Sequence, residues 1–231
     1  ICVNAGHGKE LKFWCFGGWS SYRGRSVLEK EPITIKWINA IEPNSVFWDI
    51  GANVGTYSIY AAAARGLKTY AFEPSLANMA VFAKNIELNK VDGLVTALPI
   101  ALSTVSGLDY LNMLTTDAGN TGAQFSSPSH TRAVFKQACL GWTIDDFINI
   151  FNVETPNYIK MDVDGLELQI LEASPKILAE PSLKSIILEL NAETNDFQKA
   201  KTLLVGHGFE IRESESTVSG RENPRNYIFF R

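Results

Sequence analysis

Val46-Phe47-Trp48-Asp49-Ile50-Gly51-Ala52-Asn53-Val54-Gly55 is the stretch on which the fold turns. A short apolar run meets a glycine, an asparagine and a second glycine, and an apolar, alanine-rich run over 57–64 follows until Gly66 stops it. This reads as a buried strand, a tight turn and a helix. The same alternation continues toward the C-terminus. A second strand over 68–72 gives way to Pro74 and to Ser75, which can cap a helix whose Leu76, Met79, Ala80, Ala83 and Ile86 recur at helical spacing to about Asn89. A third strand over 94–102 contains Pro99, which places it at an edge or ends it early. Strands over 158–163 and 185–190 are each followed by helical patterns, 166–173 and 196–205, and short strands over 209–213 and 227–231 close the chain. Alternation of this kind predicts the α/β class, a mostly parallel sheet covered by helices.

Composition agrees with one globular domain over 1–231: 45% of residues are apolar, with 17 Gly and 9 Pro. The 21 Lys plus Arg against 25 Asp plus Glu leave a net charge of −4, which speaks against a phosphate-clamping nucleic-acid binder. Cys2, Cys15 and Cys139 form no Cys-x-x-Cys pair, so neither a disulfide framework nor a zinc site is expected, and a reducing cytoplasmic setting is. The most apolar charge-free run, 50–64, is interrupted and falls short of the roughly 20 residues a bilayer requires, and no secretory leader is visible. Two segments stand apart. Residues 1–45 crowd Phe13, Trp14, Phe16, Trp19 and Tyr22 around two glycines without a clear period, as a lid, an acceptor-binding segment or additional core. Residues 107–140 read as a hairpin-like insertion, two strands joined by a turn-rich, mobile tip over 115–129. Thr143, with Asp146 three residues on, starts a further helix.

The loop after the first strand has the form of a cofactor loop, where a ligand approaches backbone N–H groups closely. Gly51, Asn53 and Gly55 fall at positions one, three and five, so the third glycine of the dinucleotide fingerprint is absent, and Asn53 stands where a residue tolerant of positive φ is needed. Asp49 just before the loop suits a ligand bearing an ammonium group better than a pyrophosphate, and S-adenosylmethionine carries one. Glu73 ends the second strand 22 residues after Gly51, close to the offset at which an acidic side chain reaches the ribose of a bound adenosine. Asp49, Gly51, Asn53, Gly55, Glu73, Pro74 and Ala101 form the expected cofactor-binding set.

Three blocks, Phe47 to Gly55, Ala71-Phe72-Glu73-Pro74-Ser75, and Ile159-Lys160-Met161-Asp162-Val163-Asp164-Gly165-Leu166-Glu167, resemble the FkbM family of S-adenosylmethionine-dependent methyltransferases. Asn85 to Asn89 and Thr143 to Phe147 are similar to it as well, and the likeness spans roughly 31–213. The resemblance implies the class I methyltransferase fold, Rossmann-like and doubly wound, with seven strands in the order 3-2-1-4-5-7-6 and an antiparallel last strand. It further implies O-methylation of a sugar, polysaccharide or secondary metabolite. The first 30 residues and the insertion lie outside it and are expected to set the small-molecule or glycan acceptor.

A hydroxyl acceptor must lose a proton, and Asp162 and Asp164, at the end of the fourth strand, are the expected catalytic residues, with Asp162 the first choice for general base. Glu167 serves either as a third carboxylate of that group or as a partner of the helix start. Glu189 is a further candidate for binding an acceptor hydroxyl. His130 sits in the insertion, and His7 and His207 have no partner by sequence. Asp162-Val163-Asp164 also has the Asp-x-Asp form of a nucleotide-sugar glycosyltransferase site. That rival leaves the glycine loop and Glu73 unexplained. An adenosine-binding module without turnover is the third reading. Base methylation is disfavoured because no Pro-Pro pair occurs in the chain. No metal is expected.

Overall fold

A seven-stranded sheet runs through the centre of the chain, whose computed structural model describes residues 1–6, 8–126, 133–216 and 224–231. The N-terminal segment is more regular than its composition suggests. It forms a hairpin, β1 (Cys2–Gly6) and β2 (Lys9–Lys12), and two helices, α1 (Gly18–Arg25) and α2 (Pro32–Ala40). Next come β3 (Val46–Ile50), α3 (Thr56–Ile59) running into a π-helical turn at Tyr60–Ala64, β4 (Lys68–Phe72), α4 (Leu76–Asn89) and β5 (Val95–Leu98). β6 (Ala101–Leu102) precedes the insertion, which holds β7 (Gly107–Met113), β8 (Gln124–Phe125) and most of β9 (Phe135–Trp142). The chain closes with α5 (Ile144–Phe151), β10 (Tyr158–Met161), α6 (Glu167–Glu172), α7 (Pro175–Ala179), β11 (Ser185–Leu190), α8 (Asn195–Gly206), β12 (Glu210–Ser216) and β13 (Arg225–Phe230).

The central sheet has the order β5-β4-β3-β10-β11-β13-β12, parallel except for β13, which runs antiparallel to both of its neighbours. Counted along the chain, this is 3-2-1-4-5-7-6. The fold is therefore α/β and class I methyltransferase-like, as expected. All five residues of β3 are buried because both faces are covered. Val46, Trp48 and Ile50 face a core shared with α5 to α8, whereas Phe47 faces a core shared with β2, α2, α3 and α4.

Two expectations need correction. The third strand does not run from 94 to 102. Pro99 has no N–H to give a ladder, so β5 ends at Leu98 as an edge strand, and Ala101–Leu102 pairs with β9 in a second sheet of order β6-β9-β7-β8. The insertion is accordingly a small sheet in which β7 pairs antiparallel with β9 from Gly107↔Gly141 to Met113↔Phe135. The expected mobile tip is, over its described part, bonded down: Gly119 N–H donates to Asn78 Oδ1 at 2.8 Å, and the Arg23 Nε–H of α1 donates to the Gly119 carbonyl at 3.0 Å. Residues 127–132, with His130, and His7 lie outside the described residues. The N-terminal aromatics divide: Phe13 is core, while Trp14, Phe16, Trp19 and Tyr22 are exposed.

Gly55 and Gly66 both sit at positive φ, 78° and 70°, but only Gly55 is hemmed in, since a Cβ there would come within 2.0 Å of the Phe82 ring of α4. Gly66 has nothing within 4 Å. Gly55→Ala should therefore cost roughly 2–4 kcal/mol, strain plus overpacking, against about 1 kcal/mol for Gly66→Ala. Equal shifts in a denaturant titration would show that Phe82 does not hold the loop.

Candidate active site

At the C-terminal ends of β3, β4 and β10 lies a cavity that spans about 820 Å³ when the space open to solvent is counted. Its floor is the loop after β3. Gly51 and Asn53 adopt positive φ, 81° and 54°, and a Cβ at residue 51 would meet the Asp162 carbonyl at 1.9 Å. The loop is pinned from below. The N–H groups of Gly51 and Ala52 both donate to the Phe72 carbonyl at 2.9 and 3.0 Å, that of Asn53 to Glu73 Oε2 at 2.8 Å, that of Val54 to Asn53 Oδ1 at 2.9 Å, and that of Gly55 to the Ala52 carbonyl at 2.8 Å. The amides of residues 51–55 are thus all satisfied within the protein.

Glu73 is the tie. Its Oε2 takes the Asn53 amide, and its Oε1 takes the Ser75 amide at 2.9 Å and Asn78 Nδ2 at 3.1 Å. A carboxylate has about four acceptor positions, so one remains for a ligand donor. Burial pushes this carboxyl up to about 7 against the pull of the three hydrogen bonds.

Of the expected cofactor set, Gly51, Asn53, Glu73, Pro74 and Ala101 line the cavity, and Asp49 and Gly55 do not. Gly55 acts one layer away by admitting Phe82. Asp49, expected to face an ammonium group of a ligand, lies under the loop at 1% exposure because it shares the face of β3 that carries Phe47. Its Oδ2 accepts from Ser58 Oγ at 2.6 Å, while Oδ1 has no hydrogen-bond partner and stands 4.0 Å from Lys160 Nζ. Burial raises this carboxyl, opposed by Lys160 and Ser58.

Lys160 is the residue that the sequence analysis missed. It sits in β10 directly beside Asp49, is 3% exposed, lines the cavity, and brings Nζ to 3.5 Å from Asp162 Oδ2 and 5.1 Å from the centre of the Tyr57 ring. Burial by itself would depress its ammonium, but Asp162, Asp49, Glu31 and Glu189 outweigh it and hold the group charged. A lysine in the middle of an otherwise apolar central strand was the available signal, since such a group must be paired. Glu31, from the N-terminal segment, was also missed. It is 2% exposed and bonded to Lys30, Thr34 and Asn226. Glu189 is pushed up by burial and by the charges of Asp162 and Glu31.

Asp162 and Asp164 both line the cavity but are not equivalent. Asp162 faces Lys160, whereas Asp164 has φ 56° and its Oδ2 accepts the Gly122 amide of the insertion at 2.7 Å. Glu167 is turned back to the preceding turn, accepting from Val163 N–H at 2.9 Å, and burial pushes its carboxyl up to about 7. The insertion forms the roof. Asn53 Nδ2 donates to the Asn120 carbonyl at 2.8 Å, so this strap is bonded to the cofactor loop itself and not only to the acceptor side. Arg23 of α1 reaches the same wall.

These residues suit an adenosyl ligand: a cavity at the strand ends, a glycine loop for its floor, and one open acceptor on Glu73. Among the described residues no group of three or more His, Cys, Asp or Glu is placed to hold a metal, and no helix is long and apolar enough to cross a membrane.

Residues 49–211 match the family model of the methyltransferase FkbM domain. Methyltransferase 1 of Beauveria bassiana is 26% identical over 188 residues, 73% of this chain and 73% of that protein. The hexuronic acid methyltransferase AglP of Haloferax volcanii is 24% identical over 182 residues, 79% of this chain and 71% of that protein. Among solved structures, a methyltransferase FkbM from Methylobacillus flagellatus has a TM-score of 0.60 at 13% identity, covering 84% of this chain. This chain spans 45% of it. TrmK of M. capricolum, in complex with S-adenosylhomocysteine, has a TM-score of 0.51 at 12% identity over 85% of this chain and 66% of its own. Both show the shared fold.

The raised carboxyls have a measurable consequence. Glu73 and Glu167 move from 4.5 to about 7, and Glu189 moves the same way, so across that interval the native protein holds protons that the unfolded chain has released. Their stabilising contribution is present below the ordinary carboxyl range and is lost as pH rises through about 7. Glu31, held below the usual range because Lys160 and Lys30 outweigh its burial, acts only on the acid side. The thermal midpoint should fall from about pH 5 to about pH 8, and Glu167→Gln should flatten that slope. A midpoint that climbs over this range contradicts the assignment.

Proposed function

The chain belongs to the FkbM methyltransferase family, and from that premise we propose that it methylates a hydroxyl of a sugar, with S-adenosylmethionine as donor and a hexuronic acid or related glycan as acceptor class. The observation that carries the reading is the convergence of the inward-bonded glycine loop, Glu73 and the Lys160–Asp162 pair on one cavity. The sugar-acid acceptor draws support from the named activity of the Haloferax relative. A nucleotide-sugar donor is disfavoured by the same geometry. The amides of residues 51–55 are bonded within the protein, an ammonium already stands 3.5 Å from Asp162, and Asp164 is engaged by the insertion.

When bound, S-adenosylmethionine supplies a methyl group on a sulfonium that is already a good leaving group. The protein's work is therefore placement. Gly51 and Asn53 shape the floor, Pro74 and Ala101 form apolar wall, and Glu73 accepts from the ribose hydroxyls with its remaining lone pair. Asp162 accepts the proton of the acceptor hydroxyl as general base. Lys160, buried beside it, fixes the carboxylate's position. Asp164 acts through the strap, holding Gly122 over the site, so its part in catalysis is indirect. The strap and α1 keep bulk water away from the reacting atoms.

Isothermal titration should show micromolar binding of S-adenosylhomocysteine and none of NAD or a uridine diphosphate sugar. Glu73→Gln sets an amide NH2 against the Asn53 N–H, or against those of Ser75 and Asn78, and should weaken that binding at least tenfold, about 1.4 kcal/mol. Unchanged affinity would misplace the ribose. Asp162→Asn should lower turnover of a glucuronoside far more than cofactor affinity; equal losses would make Asp162 a binding residue.

A further inference from the structure

The cavity's walls carry three carboxylates, Glu73, Asp162 and Asp164, and two cations, Lys160 and Arg23. The cations differ in what they have left to give. Lys160 is spent on Asp162 and Asp49 at 3.5 and 4.0 Å. Arg23 has no carboxylate within 4.0 Å among the described residues, and its one hydrogen bond there is from Nε to the Gly119 carbonyl at 3.0 Å. That bond uses a single donor of five and anchors the guanidinium at Nε, leaving the two Nη groups to act as a fork. The helix that carries Arg23 is itself fixed against the insertion, since a Cβ at residue 119 would lie 2.6 Å from Ser20 N. A half-buried, oriented guanidinium on a ligand cavity is suited to bidentate recognition of a planar carboxylate. The three carboxylates of the walls disfavour a doubly charged phosphate in the same place.

We infer that Arg23 anchors a carboxylate of the ligand, so that α1 is part of the binding site and not merely its cover. This rests on the methyltransferase reading, which offers two sources of that group: the methionine end of the cofactor and the acid group of a hexuronic acceptor. Two pairs of probes separate them. Calorimetry compares S-adenosylhomocysteine with its decarboxylated analogue, and NMR titration of the S-adenosylhomocysteine-saturated protein compares methyl glucuronoside with methyl glucoside. Arg23→Gln should weaken the carboxylate-bearing member of one pair at least tenfold and leave its carboxylate-free partner within about twofold, and the pair affected identifies the source. Arg23→Lys keeps the charge without the fork and should recover only part of the loss; if Arg23→Gln fails to fold, the same selectivity read in Arg23→Lys decides the matter. Equal weakening within each pair, or unchanged affinity in both, overturns the inference while wild-type binding of S-adenosylhomocysteine leaves the methyltransferase reading standing. A wild-type protein that does not bind S-adenosylhomocysteine overturns both.

Discussion

One buried ammonium holds the active end of the sheet together. Asp49, Lys160, Glu189 and Asn226 come from four strands and share one face, onto which α2 lowers Glu31. Three carboxylates in this layer, with Asp162 beside them, would repel one another and carry a large desolvation cost without a central cation. Lys160 supplies it, and burial of the pair is tolerable because Ser58, Thr34, Lys30 and Asn226 satisfy much of the remaining hydrogen-bonding capacity. The arrangement sets the position of Asp162, and it draws the N-terminal segment into the site through Glu31. Removing Lys160 would leave Asp49 and Asp162 without their ion-pair partner, so one substitution strikes the fold and the site together.

Glu73 plays the corresponding part for the loop. By taking the Asn53 amide it closes the turn from outside, and by taking Ser75 and Asn78 it joins the start of α4 to the same point. Asn78 then hands the connection on to Gly119. The cofactor floor, the next helix and the insertion are thus linked through one side chain that also faces the cavity.

Much of this was legible in the sequence for a definite reason. Parallel strands buried on both faces read as short apolar runs, and Gly51, Asn53 and Gly55 announce a turn at positive φ, so the sheet, the loop and Glu73 follow from local pattern. Period-two alternation could also have placed Asp49 under the loop, on the face of Phe47. Lys160 stood within a quoted motif and was passed over because apolar periodicity counts a lone charge as noise. The strap and the N-terminal segment were not legible. Their positions depend on contacts such as Arg23 to Gly119, 96 residues apart, and Asn53 to Asn120, 67 apart, which no local period encodes.

The close approach of Gly119 to the backbone of Trp19 and Ser20 bears on how such a protein can diversify. The two halves of the roof meet main chain to main chain, with no side chain between them to absorb a misfit. A chimera that imports only one half from another family member inherits a collision unless a glycine arrives at this seam. New acceptor preferences would then be acquired by exchanging both segments as a matched set, or by changing side chains that leave the seam alone.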